Sequence, residues 1–313
     1  MIPPADEQTR SLAETSCPAK IALAVNPSAS FGRSRGAGDE AAAFFRAAGV
    51  GVVVLRSGSY ADLEQRLASV LDTAVDAVVV VGGDGMVHMG VNAVWGRNVP
   101  LGIVPAGTGN DVARLLALPL DDVHAACRRI LAAFRTGGRT IDTGRVTSGD
   151  RTSFFAGVLS AGFDASVNER ANSWRRPKGR SRYNLAMLRE LISFRPIDYV
   201  VTADGRQWRQ KAMLMSVANG QSIGGGMRIT PEALPDDGWL DLFVVRPLSR
   251  LRFLAVFPKV YSGRHMGHPA VRTYRARKIR LEASGVVAYA DGERVAGLPL
   301  EVEVVPGGLC VLA

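Results

Sequence analysis

A chain of 313 residues, 47% of them hydrophobic, is too long for one ordinary core and suits two packed domains. Its three cysteines, Cys17, Cys127 and Cys310, are scattered and odd in number, which argues against a disulfide framework or a cysteine metal cluster and fits a reducing cytosol. The formal charge of +9 calls for an anionic partner, and phosphorylated nucleotides, nucleic acid and acidic lipid surfaces all qualify.

Residues 1–18 mix Pro, Asp, Glu, Arg and Ser without a basic start and an apolar run, so a disordered tail is expected rather than a signal peptide. From Lys20 to about Asp142, short β-branched runs alternate with helical periodicity. Strands are expected at Ile21 to Val25, Val50 to Leu55, Ala77 to Val81 and Leu101 to Val104. Helices are expected at Gly36 to Ala48, Tyr60 to Leu71, Met86 to Trp95 and Asp111 to Leu116. That alternation predicts βαβ units and a parallel sheet. The apolar runs are far shorter than the roughly 20 residues a membrane-spanning helix needs.

After about Arg145 the strand-like stretches lengthen: Arg151 to Leu159, Trp208 to Ala218, Trp239 to Val245 and Lys278 to Glu282, with helical patterns at Asn184 to Phe194 and Ser249 to Tyr261. A second, β-rich domain follows. Leu300 to Val305, Pro306-Gly307-Gly308 and Leu309 to Leu312 read as a hairpin whose last strand can return to the first domain. The expected organisation is a tail over 1–18, an α/β domain over 19–143 and a β-rich domain over 144–304, with 305–313 available to the first.

Four loops of unusual composition, Asn26 to Gly36, Ser57 to Ser59, Gly82 to Gly85 and Pro105 to Asn110, fall at the carboxyl ends of the predicted strands, the edge where open α/β sheets bind ligands. Gly82-Gly83-Asp84-Gly85 opens a helix, so its amides can approach an oligophosphate at the positive helix end. Asp84 repels phosphate and suits a Mg²⁺ ion that bridges phosphate oxygens. Pro105-Ala106-Gly107-Thr108-Gly109-Asn110-Asp111 repeats the design one strand later. Neither the lysine-bearing P-loop nor a G-x-G-x-x-G turn is present, so positive charge beside the phosphates would come from the metal and from Arg33, Arg35 or Arg114.

Asn26-Pro27, the two glycine turns and Asp291-Gly292-Glu293 occur in the order seen in the diacylglycerol kinase catalytic-domain family, which the chain resembles from about Lys20 onward. The resemblance implies an ATP- and Mg²⁺-dependent lipid kinase with an α/β nucleotide-binding domain, a C-terminal β-sandwich and a lipid acceptor, most readily diacylglycerol, in the cleft between them. It implies nucleotide contacts at Asn26, Ser57, Gly82, Gly83, Asp84, Gly85, Thr108 and Asn110, and metal near Asp84 and Asp111. Glu293 resembles the family's proton acceptor and Asp291 a supporting carboxylate. Leu234-Pro235-Asp236-Asp237-Gly238-Trp239 resembles the element beside a structural Mg²⁺ in bacterial members, with Asp237 giving a carboxylate and Leu234 and Trp239 backbone carbonyls. Met86-Val87-His88-Met89 departs from the family's Thr followed by Val-Asn-Glu, and His88 is given no catalytic role.

Arg170, Arg175, Arg176, Lys178, Arg180, Arg182 and Arg189 cluster around Trp174 and Tyr183, a composition suited to transient contact with an anionic membrane. The expectation is a cytoplasmic enzyme peripherally associated with the inner membrane face, without a nucleic-acid partner and with homodimerisation left open. Phosphorylation of a soluble nucleotide, as by NAD kinases, and a regulator without turnover stand as alternatives.

Overall fold

The computed structural model describes residues 18–26, 33–162 and 195–313. The predicted tail up to residue 17, the Asn184 to Phe194 helix, the basic cluster from Arg170 to Arg189 and the side chains of Arg33 and Arg35 lie outside the described set.

Four strands, β1 (Lys20–Val25), β2 (Gly51–Arg56), β3 (Ala77–Gly82) and β4 (Leu101–Pro105), pair in parallel in the order β2-β1-β3-β4. Helices α1 (Arg33–Ala47), α2 (Tyr60–Leu71), α3 (Asp84–Val94), α4 (Asp111–Leu115) and α5 (Val123–Arg135) cover both faces. Alternate residues of one strand go to opposite cores: Ile21, Leu23 and Val25 pack with Phe45 and Ile130, whereas Ala22 and Ala24 pack with Leu63 and Met89. Such two-sided burial explains why these strands read as unbroken apolar runs. The parallel order puts the loops after all four strands on one edge.

The chain continues through β5 (Arg139–Ser148), β6 (Arg151–Phe155), β7 (Val158–Ser160), β8 (Ile197–Ala203), β9 (Arg206–Ala212), β10 (Leu214–Ala218), β11 (Leu240–Val245), α6 (Arg250–Val256), β12 (Val271–Ala276), β13 (Lys278–Glu282), β14 (Val287–Ala290), β15 (Glu293–Gly297) and β16 (Leu300–Leu312). The first sheet extends from β4 through β16, β13, β8 and β9, with β5 and β6 attached. A second sheet has the order β12-β11-β10-β7-β14-β15 and closes a sandwich over Phe155, Tyr199, Leu242, Ile279 and Val302. The two-domain architecture is that expected from the sequence.

Three predicted elements are corrected. Arg151 to Leu159 is two strands in different sheets, because the backbone of Ala156 and Gly157 leaves the ladder. Trp208 to Ala218 likewise breaks at Met213, between β9 and β10. The terminal hairpin is one strand: β5 pairs with both halves of β16, and Pro306-Gly307-Gly308 forms a bulge with Gly307 at φ 62°. Its final residues run parallel to β4, with Val311 opposite Leu101. The helix α5 had no counterpart in the sequence reading.

Candidate functional site

The turn after β3 and the turn after β4 are in contact. A Cβ on Gly107 would overlap the Cα of Gly83, so only glycine at position 107 lets the two backbones approach this closely. Asn110 holds the second turn, accepting the Gly107 N–H at 3.0 Å and donating to the Gly107 carbonyl at 3.3 Å, from a left-handed backbone at φ 54°. Thr108 is exposed at the tip. Met86 packs beneath Gly82, and Met89 is buried in the core, so both thioethers are spent on packing.

Asp84 opens α3 and accepts the N–H groups of Asp111 and Val112 through Oδ1, at 2.7 and 3.3 Å. Its Oδ2 points toward Gly109, where a Cβ would stand 2.6 Å away. Burial, then the Asp111 and Asp291 carboxylates, push the Asp84 carboxyl up to about 7, against the pull of those two N–H groups. Asp111 is saturated from the second domain: Ser222 Oγ at 3.0 Å and the N–H of Gly226 at 2.8 Å donate to Oδ1, and the N–H of Gly225 at 2.7 Å donates to Oδ2. Of the two predicted metal residues, Asp84 therefore offers an oxygen, and Asp111 fastens the lobes together.

Asp291 sits with φ 47° before Gly292 in the turn joining β14 and β15. Its Oδ1 accepts the N–H groups of Gly157 and Val158 at 3.0 and 3.1 Å, and Oδ2 that of Ala156 at 2.9 Å. These are the residues where the chain switches sheets, and the carboxylate takes the N–H groups that the broken ladder leaves over. Burial raises its pKa to about 6 despite the three donors. Two residues on, Glu293 reaches α3: its Oε1 occupies the space a Cβ on Gly85 would fill. Burial raises the Glu293 carboxyl, and Tyr60, at the start of α2, faces it, so that its phenol is raised by burial first and by the Glu293 charge second. Tyr60 was not picked out from the sequence, since only the fold sets it opposite Glu293.

Asn26 follows β1, half-buried, on the same sheet edge. Ser57 follows β2, accepts the Ser59 N–H at 3.0 Å and holds the Asp62 carboxyl below its ordinary value by a hydrogen bond. Arg114 donates to the Gly109 carbonyl at 3.3 Å. His88 is buried beside Ser153, its Nε2 3.5 Å from Ser153 Oγ, and burial lowers its pKa to about 4, so it carries no charge at neutral pH.

The Leu234 to Trp239 turn lies apart from this cluster. Asp237 accepts the Trp239 N–H at 3.1 Å and pairs with Arg275, while Arg275 and Arg277 stand over the Trp239 ring at 5.4 and 4.6 Å. Leu234 is exposed. A cation here would compete with Arg275 for the carboxylate. The acid that holds the turn is Asp142, which accepts the Gly238 and Gly307 N–H groups at 2.7 and 2.8 Å.

Among the described residues no three His, Cys, Asp or Glu side chains form a metal cage. One free carboxylate oxygen at a helix N-terminus between two glycine turns instead fits Mg²⁺ held jointly with nucleotide phosphates, because that ion keeps water and needs only one or two protein carboxylates.

Residues 20–146 match the family model described as the diacylglycerol kinase catalytic domain, and residues 157–313 that of the YegS C-terminal NAD kinase beta sandwich-like domain. A diacylglycerol kinase of Mycobacterium tuberculosis is 37% identical over 295 residues, 94% of each chain. A probable lipid kinase YegS-like protein of Stenotrophomonas maltophilia is 26% identical over 278 residues, 86% of this chain and 88% of that one. The crystal structure of a putative diacylglycerol kinase from Bacillus anthracis shares the fold, with TM-score 0.74 and 22% identity, over 95% of this chain and 98% of that one.

Proposed function

The chain belongs to the diacylglycerol kinase catalytic-domain family and is a lipid kinase, and we propose that it transfers the γ-phosphoryl group of ATP to the free hydroxyl of a diacylglycerol, leaving ADP and phosphatidic acid. The observation that carries this reading is the contact of Glu293 with Gly85, one residue from Asp84. It sets a raised-pKa carboxylate beside the helix end where the triphosphate would lie. Glu293 takes the hydroxyl proton as the oxygen attacks phosphorus, and the amides of Gly83 and Gly85 and the positive end of α3 receive the phosphates. Asp84 Oδ2 would hold Mg²⁺, which when bound neutralises phosphate charge. Asp291 positions Glu293 through the turn it anchors. Asn26, Ser57, Thr108 and Asn110 line or shape the nucleotide side.

A lipid acceptor is supported further by a cavity of about 70 Å³ in the second domain, lined by Leu214, Ile223, Met227, Phe243, Phe253 and Phe257 among other side chains, of which His265 alone is polar. A hydrocarbon chain fits such a lining, and a nucleoside, which needs polar partners, does not. No helix among the described residues is long and apolar enough to cross a membrane. The enzyme then meets its substrate by peripheral contact with the bilayer from the cytoplasmic side.

The test is incubation with γ-labelled ATP, Mg²⁺ and diacylglycerol in detergent micelles, followed by solvent extraction. Label is expected in the lipid phase as phosphatidic acid. Label only in a water-soluble product with NAD as acceptor, or none in any lipid, overturns the proposal.

A further inference from the structure

The segment that roofs the apolar cavity has an outer surface of its own. Helix α6 turns Phe253 inward, and the 3₁₀ turn that follows, Phe257–Ser262, contributes Phe257 and Val260 to the lining. The opposite face carries large apolar side chains into water. Leu251 is 81% exposed, Leu254 44% and Tyr261 52%, and with Leu234 these are the exposed large hydrophobics among the described residues. Leu251 and Leu254 are three apart on one helix and share a face. Three such side chains in eleven residues form a patch rather than scattered exposure.

Arg246, Arg250, Arg252, Lys259 and Arg264 surround the patch, all exposed and none ion-paired among the described residues. No acidic residue occurs anywhere between Asp241 and Glu282. Elsewhere on the surface acids and bases alternate, as in Arg145 with Glu303 and Lys278 with Glu301. A short helix with leucines at its crest, cations at its flanks and its inner face over an apolar cavity has the composition of an interfacial element.

We infer that the outer face of α6 and the following turn, built on Leu251, Leu254 and Tyr261 with Arg250, Arg252 and Lys259, is the surface that docks on an anionic phospholipid bilayer. A nucleic-acid partner would account for the cations but leaves the protruding leucines in a polar contact, and a protein partner would need an apolar pocket ringed by acids, whereas any anionic bilayer takes apolar crest and basic flank together. Docking in this pose sets the cavity roof against the lipid from which an acceptor would enter. The inference rests on the lipid-kinase reading for its biological sense, but its test does not depend on catalysis.

Flotation of the full chain is measured, without ATP, on vesicles of phosphatidylcholine with and without phosphatidylglycerol. Binding is expected only with the anionic lipid and is expected to weaken as salt rises. Arg250→Glu with Arg252→Glu is expected to weaken partitioning on the order of 30-fold, and Leu251→Ser with Leu254→Ser about tenfold or more. Both variants should keep the wild-type Tm in calorimetry, which separates lost docking from lost folding. Unchanged vesicle binding in both variants, no vesicle binding by wild type, or variant-sensitive binding of RNA without vesicle binding overturns the inference. Normal docking without lipid phosphorylation leaves it standing and sinks the proposed activity instead.

Discussion

Gly85 and Glu293 are in direct contact across the domain boundary, the carboxylate tip of the glutamate filling the space any side chain at position 85 would take. Because only the end of a flexible side chain must yield, Gly85→Ala should fold normally and misplace the carboxylate. A fall in kcat of at least about tenfold, with KM for ATP and Tm nearly unchanged, is expected from steady-state kinetics and calorimetry. Gly107→Ala, which would push against the backbone of Gly83, should instead raise KM for ATP and lower Tm.

Glu293→Gln removes the proposed proton acceptor and keeps the shape. A loss of about 10²- to 10⁴-fold in kcat is expected, with nucleotide affinity by calorimetry unchanged. Burial raises the Glu293 pKa, so the wild-type rate should fall as pH drops through a value above that of an ordinary glutamate. The Gln variant should lack that limb of the kcat profile.

Asp84 exacts a folding cost at neutral pH. Its folded pKa, about 7, lies above the unfolded value, so the folded state binds the extra proton and stability falls as pH rises from about 4 to about 7. Asp84→Asn keeps an oxygen to accept the Asp111 and Val112 N–H groups and removes the charge. It should be more stable than wild type by about 1 kcal/mol or more at pH 8, the gain vanishing by about pH 4, while activity is lost. Thermal unfolding across that range checks the sign.

Asp111→Ala strips the acceptor from Ser222, Gly225 and Gly226 at once. A loss of about 2–4 kcal/mol is expected, since several donors lose a charged partner together. Hydrogen exchange should report faster protection loss at Gly225 and Gly226 than in the β11 strand.

Val256→Trp adds bulk to the cavity wall. KM for a long-chain diacylglycerol should rise about tenfold or more while KM for ATP holds. Equal effects on long- and short-chain acceptors would separate the cavity from substrate binding.

The parallel sheet was readable because strands buried on both faces must be continuous apolar runs, and because glycines and aspartates mark the turns that follow β3 and β4. What could not be read was which backbone N–H groups each acid takes. Asp111 read as a metal residue and binds the 222–226 loop; Asp291 read as a partner of Glu293 and holds Ala156, Gly157 and Val158; Asp142 gave no signal. Each of these partners lies 96 residues away or more, and no local pattern encodes such pairing. The sheet switches at Ala156 and Met213 escaped notice for the same reason, since apolar sequence runs straight through both.

β16 is one strand, bulged at Pro306-Gly307-Gly308, that bonds to β13 in one half of the molecule, to β4 in the other and to β5 along both. Donor and acceptor halves therefore share a spine, and a jaw-like swing about a flexible linker would have to tear a ladder. Any opening between the halves should accordingly proceed by twisting of the shared sheet and by side-chain adjustment rather than about a hinge.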